Sequence, residues 1–132
     1  MGMFDPEWMN AWQEAVNRDR AMEYVRRFMN TNFVIGFGDT EYLVSVRSGR
    51  LEHVSDQWTI QDTWDFALRG PRESWEKFVQ PAPPPMYNDI WAMAHPLHGR
   101  LRMEGNVKVL WQHLRSTTWM LDHMRELQPV AA

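Results

Sequence analysis

Apolar and polar residues change period several times along the chain, and each change predicts a change of element. Trp8, Trp12, Ala15 and Val16 recur at helical spacing behind Asp5-Pro6-Glu7. There a capping residue, a proline at the first helical position and an acid in the first turn mark a helix start. Asn17-Arg-Asp-Arg20 interrupts the stripe, and Met22, Val25 and Met29 resume it with Tyr24 and Phe28 alongside. The spacing predicts one long or two short helices over about residues 5–29. The period then falls to two. Phe33, Ile35 and Phe37 alternate with Val34, Gly36 and Gly38, and Tyr42, Val44 and Val46 alternate with Leu43, Ser45 and Arg47. Asp39-Thr40 and Ser48-Gly49 read as turns, and Leu51–Val54 and Gln57–Gln61 as two further short strands. Closely spaced strands joined by short polar turns predict antiparallel pairing.

Thr59–Leu68 reads as a switch from strand to helix. Asp62 is the expected cap, Asp65 the first-turn acid, and Trp64 and Leu68 share one face. Arg69-Gly70-Pro71 is the expected stop. Arg72–Val79 predicts a short helix carrying Trp75 and Phe78. Pro81-Ala-Pro-Pro-Pro85 reads as a rigid extended connector, with docking to a proline-reading domain as the sharper alternative. Tyr87–Ala94, with Trp91 and Met93, predicts another helix ended by His95-Pro96. Leu101 and Met103 then alternate with Arg100, Arg102 and Glu104, the period of a half-buried strand. Gly105 permits a tight turn, Asn106 is the expected N-cap, and Val107, Leu110, Trp111 and Leu114 form one helical stripe. A last helix is expected over about Ser116–Leu127, stopped by Pro129. No internal repeat or domain boundary stands out, so residues 1–132 are read as one domain.

The order of helix, strand meander, Thr59-Ile60-led turn, Gly99-Arg-Leu-Arg-Met-Glu-Gly-Asn106 and a following helix is similar to the SCP2 (sterol carrier protein 2) family. The similarity spans about residues 20–115. Where this chain has Glu104-Gly-Asn106 the family usually has Glu-Gly-Asp, and either last residue caps a helix. Residues 71–98 form a longer, proline- and aromatic-rich insert. The family's peroxisomal forms end in a Ser-Lys-Leu-type signal, whereas this sequence ends Pro129-Val-Ala-Ala132. The resemblance implies an α/β (α+β) fold: a five-stranded, mainly antiparallel sheet covered by helices, with an apolar tunnel between them. It also implies binding and carriage of a hydrophobic small molecule of the sterol, fatty acid or acyl-CoA type, without covalent chemistry. The expected wall residues are Trp64, Leu68, Trp75, Phe78, Trp91, Met103, Leu110, Trp111, Leu114, Met120 and Met124. Each either lines a cavity or fills a core, and sequence does not separate the two.

Composition favours the cavity. Eight tryptophans and ten methionines in 132 residues supply large apolar surfaces and adaptable ones. The bland alternative is a tryptophan-rich core around nothing. A net charge of −3 argues against non-specific nucleic-acid binding, which needs a concentrated positive field. No run of 18 apolar residues suggests a membrane span, and the N-terminus lacks a signal-peptide pattern. With no cysteine, a cytoplasmic location is expected. Oligomeric state is left as monomer or homodimer.

Candidate chemistry is sparse. His95 and His98 sit beside a proline rather than at i, i+4 on a helix, so a metal site with His113, His123 and Glu104 is not expected, nor is any cofactor. Gly36-Phe-Gly-Asp39 lacks the third glycine of a phosphate loop, and no Gly-x-Ser-x-Gly element is present. The alternative to a carrier is an enzyme on the same scaffold, working on an apolar metabolite through Tyr87, Asp89, His95 and His98. A third reading is an interaction subunit that docks through Pro81–Pro85. Arg47, Arg50, Arg100 and Arg102 are expected on the outer sheet face, either as a solvated charged surface or as recognition of an anionic headgroup.

Overall fold

A computed structural model describes residues 2–59, 61–94 and 99–127. Two helices open the chain, α1 (Pro6–Arg18) and α2 (Arg20–Arg26). They break at Asp19, whose backbone is extended and whose side chain accepts from the Met22 amide. Asp5 stands at the start of α1 without a side-chain cap bond, and Pro6 fills the first helical position. The meander follows as β1 (Thr31–Phe37), β2 (Thr40–Arg47) and β3 (Arg50–Ser55), paired antiparallel in sequence.

The next strand corrects the sequence reading. Residues 59–68 do not turn into a helix. Phe66–Gly70 is strand β4, lying parallel to β1 with Phe33 opposite Phe66 and Ile35 opposite Leu68. Phe66, Ala67 and Leu68 are all buried, because β4 is an inner strand covered on both faces. Such strands lose the alternation that marks half-buried ones, so Trp64 and Leu68 mimic a helical face. The strand expected at Gln57–Gln61 is likewise absent. Thr59 donates its amide to Asp62 Oδ2 at 2.7 Å and Asp62 returns its amide to the Thr59 carbonyl, which makes a turn. Ile60 lies outside the described residues.

Helix α3 (Arg72–Phe78) forms where expected, and the Tyr87–Ala94 helix contracts to one turn, α4 (Ile90–Met93). His95-Pro96, its expected stop, lies outside the described residues. Strand β5 (Arg102–Gly105) pairs antiparallel with β4 and completes the sheet order β3-β2-β1-β4-β5. Only the β1–β4 pairing is parallel, in keeping with a mainly antiparallel sheet. Helix α5 (Val107–Gln112) starts at Asn106, which offers backbone but no side-chain cap bond. Its amide donates to the Asp65 carbonyl at 2.6 Å instead. His113 separates α5 from α6 (Leu114–Asp122), so the stripe from Val107 to Leu114 is split, and a 3-10 turn follows at His123–Leu127. Pro129 is outside the described residues.

Register places the core. Phe33, Ile35, Phe37, Tyr42, Val44, Val46, Leu51, Phe66 and Leu68 share the helix-covered face and are buried. Phe4 stacks on Phe37 at 4.1 Å, and Trp75 meets Phe37 edge-on. Buried indoles need partners for their N–H. Trp75 donates to the Gly36 carbonyl at 2.8 Å and Trp12 to the Met120 carbonyl at 2.7 Å. On the opposite face, Arg69 of β4 reaches Glu41 of β2 at 2.7 Å across β1. A Cβ at Gly36 would stand 3.0 Å from Arg69 Cγ and 3.1 Å from Glu41 Oε2, so the glycine is what lets the pair close. Arg47, Arg50 and Arg102 share this outer face by register, as expected, while Arg100 precedes β5 and lies over the Tyr87 ring. Among the described residues no helix is long and apolar enough to cross a membrane.

Candidate functional site

The site begins at the β5 edge of the sheet. Met103 pairs with Leu68 and therefore faces the helix side. Leu101, just before β5, is only 3% exposed. Its segment runs so close to β4 that a Cβ on Gly70 would stand 2.6 Å from the Arg100 carbonyl oxygen. Facing this edge is α4. Asp89 caps it, accepting the Ala92 amide at 2.7 Å. Ile90 and Met93 anchor it in the core, which turns Trp91 outward at 62% exposure.

Between β5 and α4 lies a pocket of about 900 Å³. Met86, Trp91, Ala92, Ala94, Leu101 and Met103 supply its apolar wall, with Gly99, Arg102 and Glu104 at its polar side. Its volume falls in the range of about 300–1,000 Å³ that accommodates small-molecule ligands. Trp111 of α5 packs edge-on against Trp91, with ring centroids 4.6 Å apart, and steadies the wall. Met86 holds a left-handed backbone, φ +75°, at the end of the proline-rich connector. Glu104 sits 3.6 Å from Arg69 and 3.8 Å from Arg102, so the polar side carries paired charge.

A second recess of about 420 Å³ shares Trp91 and adds Leu114, Asn88, Asp89, Arg115, Thr118, Asp122 and Arg125. Arg125 is committed there: it donates to Asp122 at 2.7 Å and to the Phe78 and Asn88 carbonyls at 2.9 and 2.7 Å. Burial raises the Asp122 carboxyl above the usual aspartate value, against the pull of Arg125 and His123.

Eleven residues were expected to wall a tunnel, and they fall in several places. Trp91 and Met103 line the larger pocket, Leu114 lines the smaller one with Trp91, and Trp111 backs Trp91. Leu68, Trp75, Phe78, Leu110, Met120 and Met124 lie in the packed core, each at most 2% exposed. Trp64 belongs to the outer face, where its ring lies 5.2 Å from the Arg69 guanidinium and borders a small polar recess with Asn32, Arg47 and Asp65. Sequence reasoning missed Met86, Ala92, Ala94 and Leu101 as pocket residues. Leu101 was legible from its alternation with Met103. The two alanines carry no signal, since a small side chain marks open space only once its neighbours are known.

Two of the four acid–base candidates, Asp89 and Tyr87, are engaged in packing and capping. Asp89 is the α4 cap, and the Tyr87 ring sits 4.9 Å from Lys77 Nζ and 5.5 Å from the Arg100 guanidinium. His95 and His98 lie outside the described residues. His113 marks the α5–α6 break, and His123 bonds Asp19 at 2.7 Å and Glu126 at 2.9 Å. Among the described residues no group of three or more His, Asp or Glu side chains is placed to hold a metal ion.

No family model matches this sequence, and no curated protein matches it. Solved structures do. The solution structure of a conserved hypothetical protein from Thermus thermophilus, described as possibly a sterol carrier protein, superposes with a TM-score of 0.71 at 13% identity, over 99% of this chain and 94% of that one. The crystal structure of sterol carrier protein 2 gives 0.72 at 12% identity, over 96% of this chain and all of that one. A UbiJ-SCP2 ubiquinone synthesis protein gives 0.61 at 14%, over 98% and 100%. Identities this low speak for the backbone alone, and the backbones agree over nearly the full length: the chain folds as an SCP2-like domain.

Proposed function

We propose that this protein binds and carries a hydrophobic small molecule of the sterol, fatty acid or acyl-CoA type, with the pocket between β5 and α4 as its entry and principal site. The observation that carries the reading is that pocket: about 900 Å³ with an apolar wall of Met86, Trp91, Leu101 and Met103, at one edge of a sheet whose centre is close-packed. The fold is shared with sterol carrier protein 2 and with a structure described as possibly a sterol carrier protein, which supports the same class of cargo. Burying apolar ligand surface contributes about 25 cal/mol per Å². The wall supplies little directed polarity, so shape and apolar area set the affinity, as suits a carrier rather than a catalyst.

Fluorescence titration with a naturally fluorescent fatty acid tests this. Trp91→Ala and Met103→Glu are expected to weaken binding at least about tenfold, since each removes or charges a large share of the apolar wall. Leu43→Glu, a change at a half-buried position on the opposite sheet face, serves as the control. Native mass spectrometry of the gently purified protein gives an independent reading of any bound mass. No binding of any lipid class by the wild type, or unchanged binding by both pocket variants, overturns the proposal.

A further inference from the structure

The two edges of the sheet are finished differently. At β3 the edge is closed. Glu52 is an extra residue between the Ser45–His53 and Val46–Leu51 pairs, which makes a bulge. Side chains of α1 then take up the Leu51 backbone. Its amide donates to Asn17 Oδ1 at 2.9 Å, and its carbonyl accepts from Asn17 Nδ2 and Gln13 Nε2 at 3.0 and 2.8 Å. Bulges and covering groups keep an edge strand from pairing with another chain. The β5 edge carries neither among the described residues. The Gly38 amide donates to the Gly70 carbonyl at 2.8 Å and the Asn106 amide to the Asp65 carbonyl at 2.6 Å. Backbone groups alternate along a strand, so Ala67–Glu104 and Arg69–Arg102 are the hydrogen-bonded pairs of β4 and β5. The N–H and C=O groups of Leu101 and Met103 therefore point away from the sheet, and no described residue bonds them.

The open edge is complementary to itself. Its sequence is Leu101-Arg-Met-Glu-Gly105. Antiparallel pairing of two copies about a two-fold axis at Met103 sets Arg102 of each opposite Glu104 of the other. Met103 meets Met103 of the second copy, and the two exchange both outward backbone hydrogen bonds. Moving the axis by one residue sets Arg102 against Arg102 or Glu104 against Glu104, and like charges directly opposite are destabilising. The side chains around the joint match as well. Met103 faces the helix side, and beside it on that side stand Trp91, Trp111 and Met86, which are 62%, 42% and 41% exposed. A two-fold axis perpendicular to the sheet keeps the helices of both copies on one side, so these apolar groups of the two copies come together over the joint. Aromatic and methionine side chains are enriched at such interfaces. We propose that two copies of this chain join β5 to β5 into one continuous sheet, with their β5–α4 pockets opening toward each other across the axis. This interface stands on the strand edge and its charges, whatever the pocket carries.

Analytical ultracentrifugation of the full chain, with no ligand added, tests this. At about 100 μM the wild type is expected to sediment with the mass of two 15.8 kDa chains. Arg102→Glu and, separately, Glu104→Arg are each expected to weaken the dimer at least about tenfold, because each sets like charges opposite at two places in the joint. The double variant Arg102→Glu/Glu104→Arg exchanges the two signs and is expected to dimerise again. Copies carrying Arg102→Glu, mixed with copies carrying Glu104→Arg, are expected to form a heterodimer, since every facing pair is then opposite in sign. Circular dichroism establishes that each variant is folded, and the wild-type mass needs no variant at all. A wild type that stays a monomer at every concentration, whether or not it sediments with lipid vesicles, overturns the proposal. So does a dimer indifferent to both single changes, or folded single variants that fail to associate when mixed.

Discussion

Ser48 and Gly49 show how much one backbone position can carry. Both have positive φ, 51° and 79°, which gives the β2–β3 hairpin the two left-handed residues its tight turn needs. At Gly49 there is also no room: a Cβ would stand 2.3 Å from the Arg26 carbonyl oxygen and 2.5 Å from Arg26 Cγ. Gly49→Ala is therefore expected to cost about 2 kcal/mol or more in urea unfolding, since it combines left-handed strain with overlap. Ser48→Asn is expected to go the other way by up to about 1 kcal/mol, because asparagine tolerates this conformation better than serine. Tyr42 makes the second residue-scale case. It is 1% exposed and its hydroxyl donates to the Phe4 carbonyl at 2.6 Å. Burial, together with the negative charge of Asp56 and Asp5, pushes its phenol up to about 12 from 10.0. A raised phenol pKa means that the unfolded chain releases its proton first. Stability from this group is intact below pH 10 and is lost as pH climbs toward 12. Alkaline unfolding followed by circular dichroism is expected to show that loss. Tyr42→Phe is expected to flatten it while costing about 1 kcal/mol at neutral pH.

At the scale of elements, the joints matter more than the elements themselves. The α1–α2 break and the final 3-10 turn are pinned by one buried imidazole, His123, between Asp19 and Glu126. Burial pulls the Asp19 carboxyl up, but its bonds from His123 and the Met22 amide, and the His123 charge, outweigh this and hold it below the usual 3.8. A lowered carboxylate pKa stabilises the fold above pH 3.8 and gives that stability up as pH falls through the lower, folded-state value. Acid unfolding of Asp19→Asn is expected to lack this component, and the variant is expected to be less stable at neutral pH by about 1–3 kcal/mol, because His123 loses its charged partner. The same scale explains β4. Its five residues have no strand signature of their own, and it becomes a strand because β1 and β5 offer it hydrogen bonds on both edges. Helix α4 is a single turn that exists because Asp89 caps it and Ile90 and Met93 bury themselves, and its function in the proposed site is to hold Trp91 outward.

For the whole molecule, the close-packed helix face and the open β5 edge divide the work. A ligand that binds only the folded chain raises its stability by about 2.7 kcal/mol at a hundred times its dissociation constant. For a domain of this size that is a rise in Tm of roughly 5–15 °C. A thermal shift of that order with a fatty acid, absent in Trp91→Ala, is expected if the β5–α4 pocket is the site.

Much of this was legible in the chain. Period-two runs at Phe33–Phe37 and Tyr42–Val46 gave the meander: in β2 one face is buried and the other half-buried, while β1, buried on both faces, still alternates large aromatic and aliphatic side chains with Val34 and Gly36. Leu101 and Met103, alternating with charge and ending at Gly105, marked the last strand, although Asn106 takes up its capping place by backbone alone. Local pattern determined these, since each residue's environment follows from its immediate neighbours. Only the tertiary structure decided the rest. The parallel placement of β4, the six expected wall residues that fill the core, and the pocket opened by Ala92, Ala94 and Met86 all depend on which distant segments meet. A large apolar side chain reads the same in sequence whether it faces another side chain or an empty space, and that difference is fixed only when the sheet and its helices close on each other.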